Sequence, residues 1–222
     1  MNIRKTMVRV AGVGAAATAA IGLFSAGAAN ADTFIPLPGG EITKTLSDGT
    51  VVTVKLVGES ANISPSMGST PLHRNAWASG SAQVTLSGAE GATGGKIRPG
   101  YVVGCEVNIA GGGAEGGVEG GGTWEGEGSL GATTGGSLSL GPGQAAKFYV
   151  LDLEAPDDYG NEDHSGKNKF KGNFGSVTWA DTTIALGGCA GYAQARSFVQ
   201  VQVETDNVMS WVTLWGQPFS LG

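Results

Sequence analysis

The residues best suited to chemistry lie in the middle of the chain. Residues 111–143 hold four carboxylates, Glu115, Glu119, Glu125 and Glu127, and no lysine or arginine. All four stand at odd positions. Thr123, Ser129, Thr133, Ser137 and Ser139 are odd too. Ala114, Val118, Trp124, Leu130, Ala132, Leu138 and Leu140 are even, with Thr134 among them. A strand sends alternate side chains to opposite faces. In extended form this segment has one wet, acidic face and one face of apolar or small groups. Carboxylates gathered on one face concentrate cations and repel anions. Acid–base catalysis instead needs a carboxyl set apart by burial, and nothing in the tract singles one out.

Other motifs point nowhere as sharply. Gly126-Glu127-Gly128-Ser129-Leu130-Gly131 matches GxGxxG, but no strand–helix unit surrounds it, and an acid stands where a phosphate would bind. His73 and His164 lack metal-ligand spacing. His73, near Pro71 and Arg74, reads as a structural residue. His164 sits among Glu154, Asp157, Asp158, Glu162 and Asp163 in what reads as a solvated loop over residues 154–173, with a weak calcium site as the minor reading. There is no GxSxG, HExxH or P-loop. No enzyme, cofactor or metal is expected. A formal charge of −6 argues against a nucleic-acid binder, which would carry a basic footprint.

The elements that must position these residues are strands. No sustained helical periodicity follows residue 31. Alternating or apolar runs cover residues 41–46, 50–57, 76–86, 101–109, 147–153, 176–186, 190–204 and 209–216. The first two flank Ser47-Asp48-Gly49, an Asp-Gly hairpin turn. Irregular turn spacing favours an antiparallel β-sandwich. Trp179, Trp211 and Trp215 are expected in its core.

The length of 222 residues fits one domain or at most two small ones. Of 222 residues 40 are Gly and only 8 are Pro, without a three-residue period, which excludes collagen. The hydrophobic share of 41% with 14% charged residues excludes ordinary disorder.

The chain begins as an exported one. Arg4, Lys5 and Arg9 precede an uncharged stretch of apolar and small residues, and Ala29-Asn30-Ala31 is a cleavage site. Residues 1–31 thus read as a signal peptide and residues 32–222 as the mature subunit. In an oxidising compartment Cys105 and Cys189 are expected to form one disulfide.

An apolar face beside a wet one is the pattern of a membrane β-hairpin, polar toward the lumen and apolar toward lipid. Trp124 suits its interface with water. A single hairpin cannot cross a bilayer, because each unpaired backbone group in hydrocarbon costs several kcal/mol. Several chains must close one barrel together. A Gly-rich soluble hairpin is the competing reading.

Particular residues also carry a family resemblance. Pro71-Leu72-His73-Arg74-Asn75, Ser79-Gly80-Ser81-Ala82 and Pro99-Gly100-Tyr101-Val102-Val103-Gly104-Cys105 are followed by Gly188-Cys189-Ala190-Gly191-Tyr192-Ala193-Gln194-Ala195-Arg196 and Gly216-Gln217-Pro218-Phe219. Together these resemble the MspA-type porins of mycolate-containing actinobacteria, on the nocardial and rhodococcal branch. The resemblance implies a β-sandwich rim domain with a long β-hairpin arm, here at about residues 103–150. It further implies an octameric ring of this subunit, alone or with a related one. Its shared barrel crosses the mycolic-acid outer membrane and passes small hydrophilic solutes and cations by diffusion.

The adjacent aspartates of the family's best-known constriction have no counterpart here. Glu125 and Glu127 are the nearest match. They ring the narrow end if the hairpin turns within residues 126–136, and move up the returning strand if it turns at Gly120-Gly121-Gly122. An outgoing limb over residues 103–125 spans roughly 70 Å at about 3.3 Å per residue. That is longer than an ordinary hydrocarbon core of about 30 Å. A secreted β-sandwich module that binds cell-wall polysaccharide is the alternative function.

Overall fold

The computed structural model describes residues 32–65, 72–88, 92–107, 109, 137–138, 143–156 and 162–222. The expected leader lies outside them, as does most of the glycine-rich tract. No helix occurs among the described residues. In chain order the strands are β1 (Thr33–Pro36), β2 (Gly40–Thr45), β3 (Val51–Pro65), β4 (Arg74–Ser87), β5 (Ala92–Cys105), β6 (Ser137–Leu138), β7 (Ala145–Tyr149), β8 (Leu153–Pro156), β9 (Glu162–Ser165), β10 (Asn168–Lys171), β11 (Phe174–Leu186), β12 (Ala193–Thr205) and β13 (Met209–Ser220).

The Asp-Gly turn forms as its residues dictate. Gly49 takes a φ of 84°, and the Gly49 amide donates to the Leu46 carbonyl. The Asp48 carboxylate accepts from the Thr50 amide at 3.0 Å and from the Thr205 hydroxyl at 2.7 Å. Those two bonds, the Thr205 one first, hold its pKa below the usual value. The turn joins β2 to β3 and pins the distant β12–β13 loop to it.

Two sheets follow. One is ordered β1-β3-β4-β11-β6, with β2 also on β3; the other is β10-β5-β12-β13, with β7 also on β5. Each main strand turns its apolar residues one way. In β4, Ala76, Ala78, Ala82, Val84 and Leu86 are buried, and in β12, Ala193, Ala195, Val199, Val201 and Val203 are buried. The inner faces meet in one core containing Leu56, Ile97, Tyr101, Trp179, Ile184 and Phe219, the arrangement of a β-sandwich.

Four one-residue register shifts interrupt the described strands, one of them in β5 between Ala92 and Gly94, opposite Thr205 and Glu204, and the other three bend the sandwich. Those three lie in β3 between Val57 and Ser60, in β11 between Trp179 and Thr182, and opposite β12 between Arg196 and Phe198. An extra residue reverses which parity faces inward. In β3 the buried set therefore passes from Val52, Val54 and Leu56 to Glu59 and Ala61. The β3 and β11 bulges flank one stretch of β4, at Ser79–Gly80. There Trp179 lies flat enough that a Cβ on Gly80 would come within 2.7 Å of its ring. Asp181 takes a left-handed φ of 52°, and its amide donates to the Ser79 hydroxyl at 2.9 Å.

Two expectations need correction. Residues 154–173 are not simply a loop: β8 and β9 make a two-stranded hairpin and β10 joins the five-stranded sheet. Trp179 is buried as expected, but Trp211 and Trp215 are 44% and 47% exposed. In β13 it is Val212 and Leu214 that face inward, so the odd-numbered tryptophans must face out.

Candidate functional site

The tract with the chemical signature begins and ends at one place in the sandwich. Strand β5 runs out to Cys105 and β7 returns from Ala145. The two are antiparallel neighbours, with Gly104 opposite Ala145 and Tyr101 opposite Phe148. The Cys105 amide also donates to the Gln144 carbonyl. Residues 106–144 thus begin and end side by side on adjacent strands, as the two limbs of a hairpin must. Val103–Cys105 and Ala145–Tyr149, the ends of the expected arm, are paired within the rim sheet itself.

The root is clamped on both limbs. Cys105 and Cys189 form a disulfide with Cα atoms 5.9 Å apart, as expected. Beyond it, the Glu106 amide donates to the Tyr192 carbonyl, the Ile109 amide to the Gly188 carbonyl, and the Ala190 amide to the Val107 carbonyl. Val107 and Ile109 are 45% and 53% exposed. On the returning limb, Ser137 and Leu138 pair in parallel with Ala185 and Leu186 of β11. Both limbs therefore meet residues 185–192, the end of β11 and its connection to β12.

Among the proposed lumen-facing residues, only Ser137 is described, and its backbone lies at the edge of the rim sheet beside Ala185. Glu115, Glu119, Thr123, Glu125, Glu127, Ser129, Thr133 and Ser139 lie outside the described residues. His73 lies beside Gly187, close to the same clamp.

Two sites escaped sequence reasoning. The first is Glu59, 2% exposed at the β3 bulge. Neither its carboxylate oxygens nor the buried Ser197 Oγ has a hydrogen-bond partner. Gly216, on the strand beside Ser197, faces Glu59 across the sandwich, and a Cβ there would collide with Ser197 Oγ and reach within 3.0 Å of Glu59 Oε2. Burial raises the carboxyl pKa, against the lowering effect of the neighbouring Ser197 hydroxyl. Nearby, Trp179 Nε1 donates to the Tyr101 hydroxyl at 3.1 Å, and burial raises the Tyr101 pKa well above its usual value. A break of alternation after Leu56, at Val57-Gly58-Glu59, was the available signal.

The second is the β8–β9 hairpin. Glu154 stands opposite His164, and His164 Nδ1 is 2.8 Å from Asp152 Oδ1. One donor atom from each of Asp152, Glu154 and His164 falls within 4.8 Å of the others. All three are at least partly open to solvent, and their carboxylates repel anions as readily as they would draw a cation.

The MspA family model matches residues 48–220, which take in every strand but β1 and β2, together with the whole tract between β5 and β7. The chain belongs to the MspA family. No curated protein matches it. MspA-type porins are channel-forming proteins of outer membranes that act as oligomers. Within this MspA-type chain the sandwich holds the two ends of the tract paired side by side on β5 and β7.

Proposed function

We propose that the chain is one subunit of a ring-shaped porin in a mycolic-acid outer membrane. The shared barrel admits cations and small hydrophilic solutes by passive diffusion. The observation that carries this reading is the side-by-side departure of residues 106–144 from β5 and β7, joined to the alternation of acidic and apolar residues within that tract. Glu115, Glu119, Thr123, Glu125, Glu127, Ser129, Thr133, Ser137 and Ser139 face the lumen in the assembled pore, with Glu125 and Glu127 at its constriction. Seating Ser137 there requires it to leave the rim-sheet edge on assembly.

The root register adds a requirement. Residues directly opposite in an antiparallel pair point to the same face. At the root an even residue, Gly104, stands opposite an odd one, Ala145. A lumen face made of odd residues on both limbs needs odd opposite odd. One limb must therefore contain a one-residue shift. The apolar residues locate it: the exposed Val107 and Ile109 are odd, whereas Ala114, Val118 and Trp124 are even. The returning limb keeps one parity throughout, from Leu130 and Leu140 to the core-facing Phe148. The shift belongs at Gly111-Gly112-Gly113, where glycine suits a bulge.

Planar-bilayer recording tests the function. Purified protein is expected to give stepwise conductance with a reversal potential favouring cations. Changing Glu125→Gln together with Glu127→Gln is expected to lower that preference severalfold without stopping channel formation. Unchanged ion preference would reject the constriction assignment, and silent bilayers from folded protein would reject the porin.

A further inference from the structure

An acidic chain carries a basic sheet face. Of the ten lysines and arginines beyond residue 31, Lys96, Arg98, Lys147, Lys169, Lys171 and Arg196 share the outer face of the five-stranded sheet. Lys96 stands opposite Lys169, and both Lys147 and Arg196 flank Val102. Glu204, opposite Gly94, is the acid on that face among the described strands. Aromatic rings lie among the cations. The Arg98 guanidinium sits 5.5 Å from the Trp211 ring and 5.8 Å from Tyr149, and that of Arg196 sits 5.2 Å from Trp215. A shallow cleft opens between Lys96, Lys169, Lys171 and Gln202.

The opposite charge is concentrated elsewhere in the same chain. Residues 152–165 carry six acids and no lysine or arginine. Among them Leu153–Pro156 and Glu162–Ser165 pair as β8 and β9, which belong to neither sandwich sheet. Asp152, Glu154 and His164 gather there.

We propose that the basic face is one half of the contact between neighbouring copies, and that its occupant is the acidic β8–β9 hairpin of the next copy. The proposal rests on the ring-forming reading above and names the surfaces that build the ring. Basic face against basic face would set six cations against six, so a two-fold contact is disfavoured. A head-to-tail contact joins unlike surfaces and can close into a ring. Tryptophan, tyrosine and arginine are the residue types that dominate interface energetics, and burial of the exposed Trp211 and Trp215 rings accompanies the contact.

Charge exchange tests it on the full mature chain in detergent, with assembly read by native mass spectrometry and folding by circular dichroism. Lys96→Glu with Lys169→Glu is expected to abolish the ring mass, and so is Asp152→Lys with Glu154→Lys. All four changes in one chain are expected to restore it. If a reversed variant fails to fold, Asp152→Asn with Glu154→Gln is used, and at least a tenfold slower assembly is expected. Tryptophan emission is expected to shift to the blue as the wild-type ring forms. Rings that ignore each paired reversal, or no rescue in the fourfold variant, would overturn the proposal. A wild-type chain that stays monomeric would overturn it too, as would one whose basic face instead binds phosphatidylglycerol vesicles. Bilayer conductance is read in parallel. Wild-type channels with indifferent charge reversals defeat the interface alone, and charge-dependent rings without conductance defeat the porin alone.

Discussion

Glu59 shows how much a single residue can cost a small sandwich. Its carboxyl is buried without a partner, a situation that disfavours the charged form. The folded chain therefore holds this proton more tightly than the unfolded chain does. Its contribution to stability falls as pH rises from the ordinary carboxyl range through the raised value, and is level above that. Replacing Glu59→Gln removes the titration. Thermal melts are expected to show the variant more stable than wild type at neutral pH, by about 1.4 kcal/mol for each unit of the shift, with the difference vanishing at low pH. An equal gain at every pH would mean that charge is not the cause. Gly80 makes the opposite point. A side chain there meets Trp179, so Gly80→Val is expected to destabilise by about 1–3 kcal/mol through overpacking, measured by denaturant unfolding.

Elements explain what the sequence reveals and what it hides. The Asp-Gly turn, the alternating strands β4, β11 and β12 and the disulfide were legible because each rests on a local rule: turn chemistry, the two-residue period and an oxidising compartment. The bulges were not, since each moves the buried set by one residue and leaves composition unchanged. Trp211 and Trp215 were assigned inward because tryptophan is usually buried. Yet the strand already held Val212 and Leu214 at the other parity. Strands β8 to β10 were hidden by their charge, since short polar strands at a sheet edge look like loop. The arm's alternation was legible, but the register at its root was not. That register makes an odd prediction about deletions. Removing one of Gly111-Gly112-Gly113 removes the extra residue and is expected to preserve channel formation. Removing two sets the limbs out of phase and is expected to abolish it. A linker would tolerate both, and conductance of the two variants decides.

At the scale of the molecule, the disulfide and the hydrogen bonds around residues 188–192 fix the outgoing side of the tract, and the pairing of Ser137 and Leu138 with β11 holds its returning side close by. The Cys105–Cys189 link closes a loop of 84 residues that spans the whole arm. Changing both cysteines to serine is expected to lower stability by about 2–5 kcal/mol, seen in denaturant unfolding, and to loosen the root before the β3–β4 pairing. In the proposed porin the rim is the holder for an arm that its neighbours complete.

The account stands on the two faces of that arm. Single cysteines placed along residues 114–140, with the native disulfide kept, can be challenged in assembled protein by a water-borne thiol reagent. Odd positions, Glu115, Glu119, Thr123, Glu125 and Glu127 first among them, are predicted to react quickly. Even positions such as Val118, Leu130 and Leu138 are predicted to be shielded. Equal reactivity at odd and even positions would contradict it.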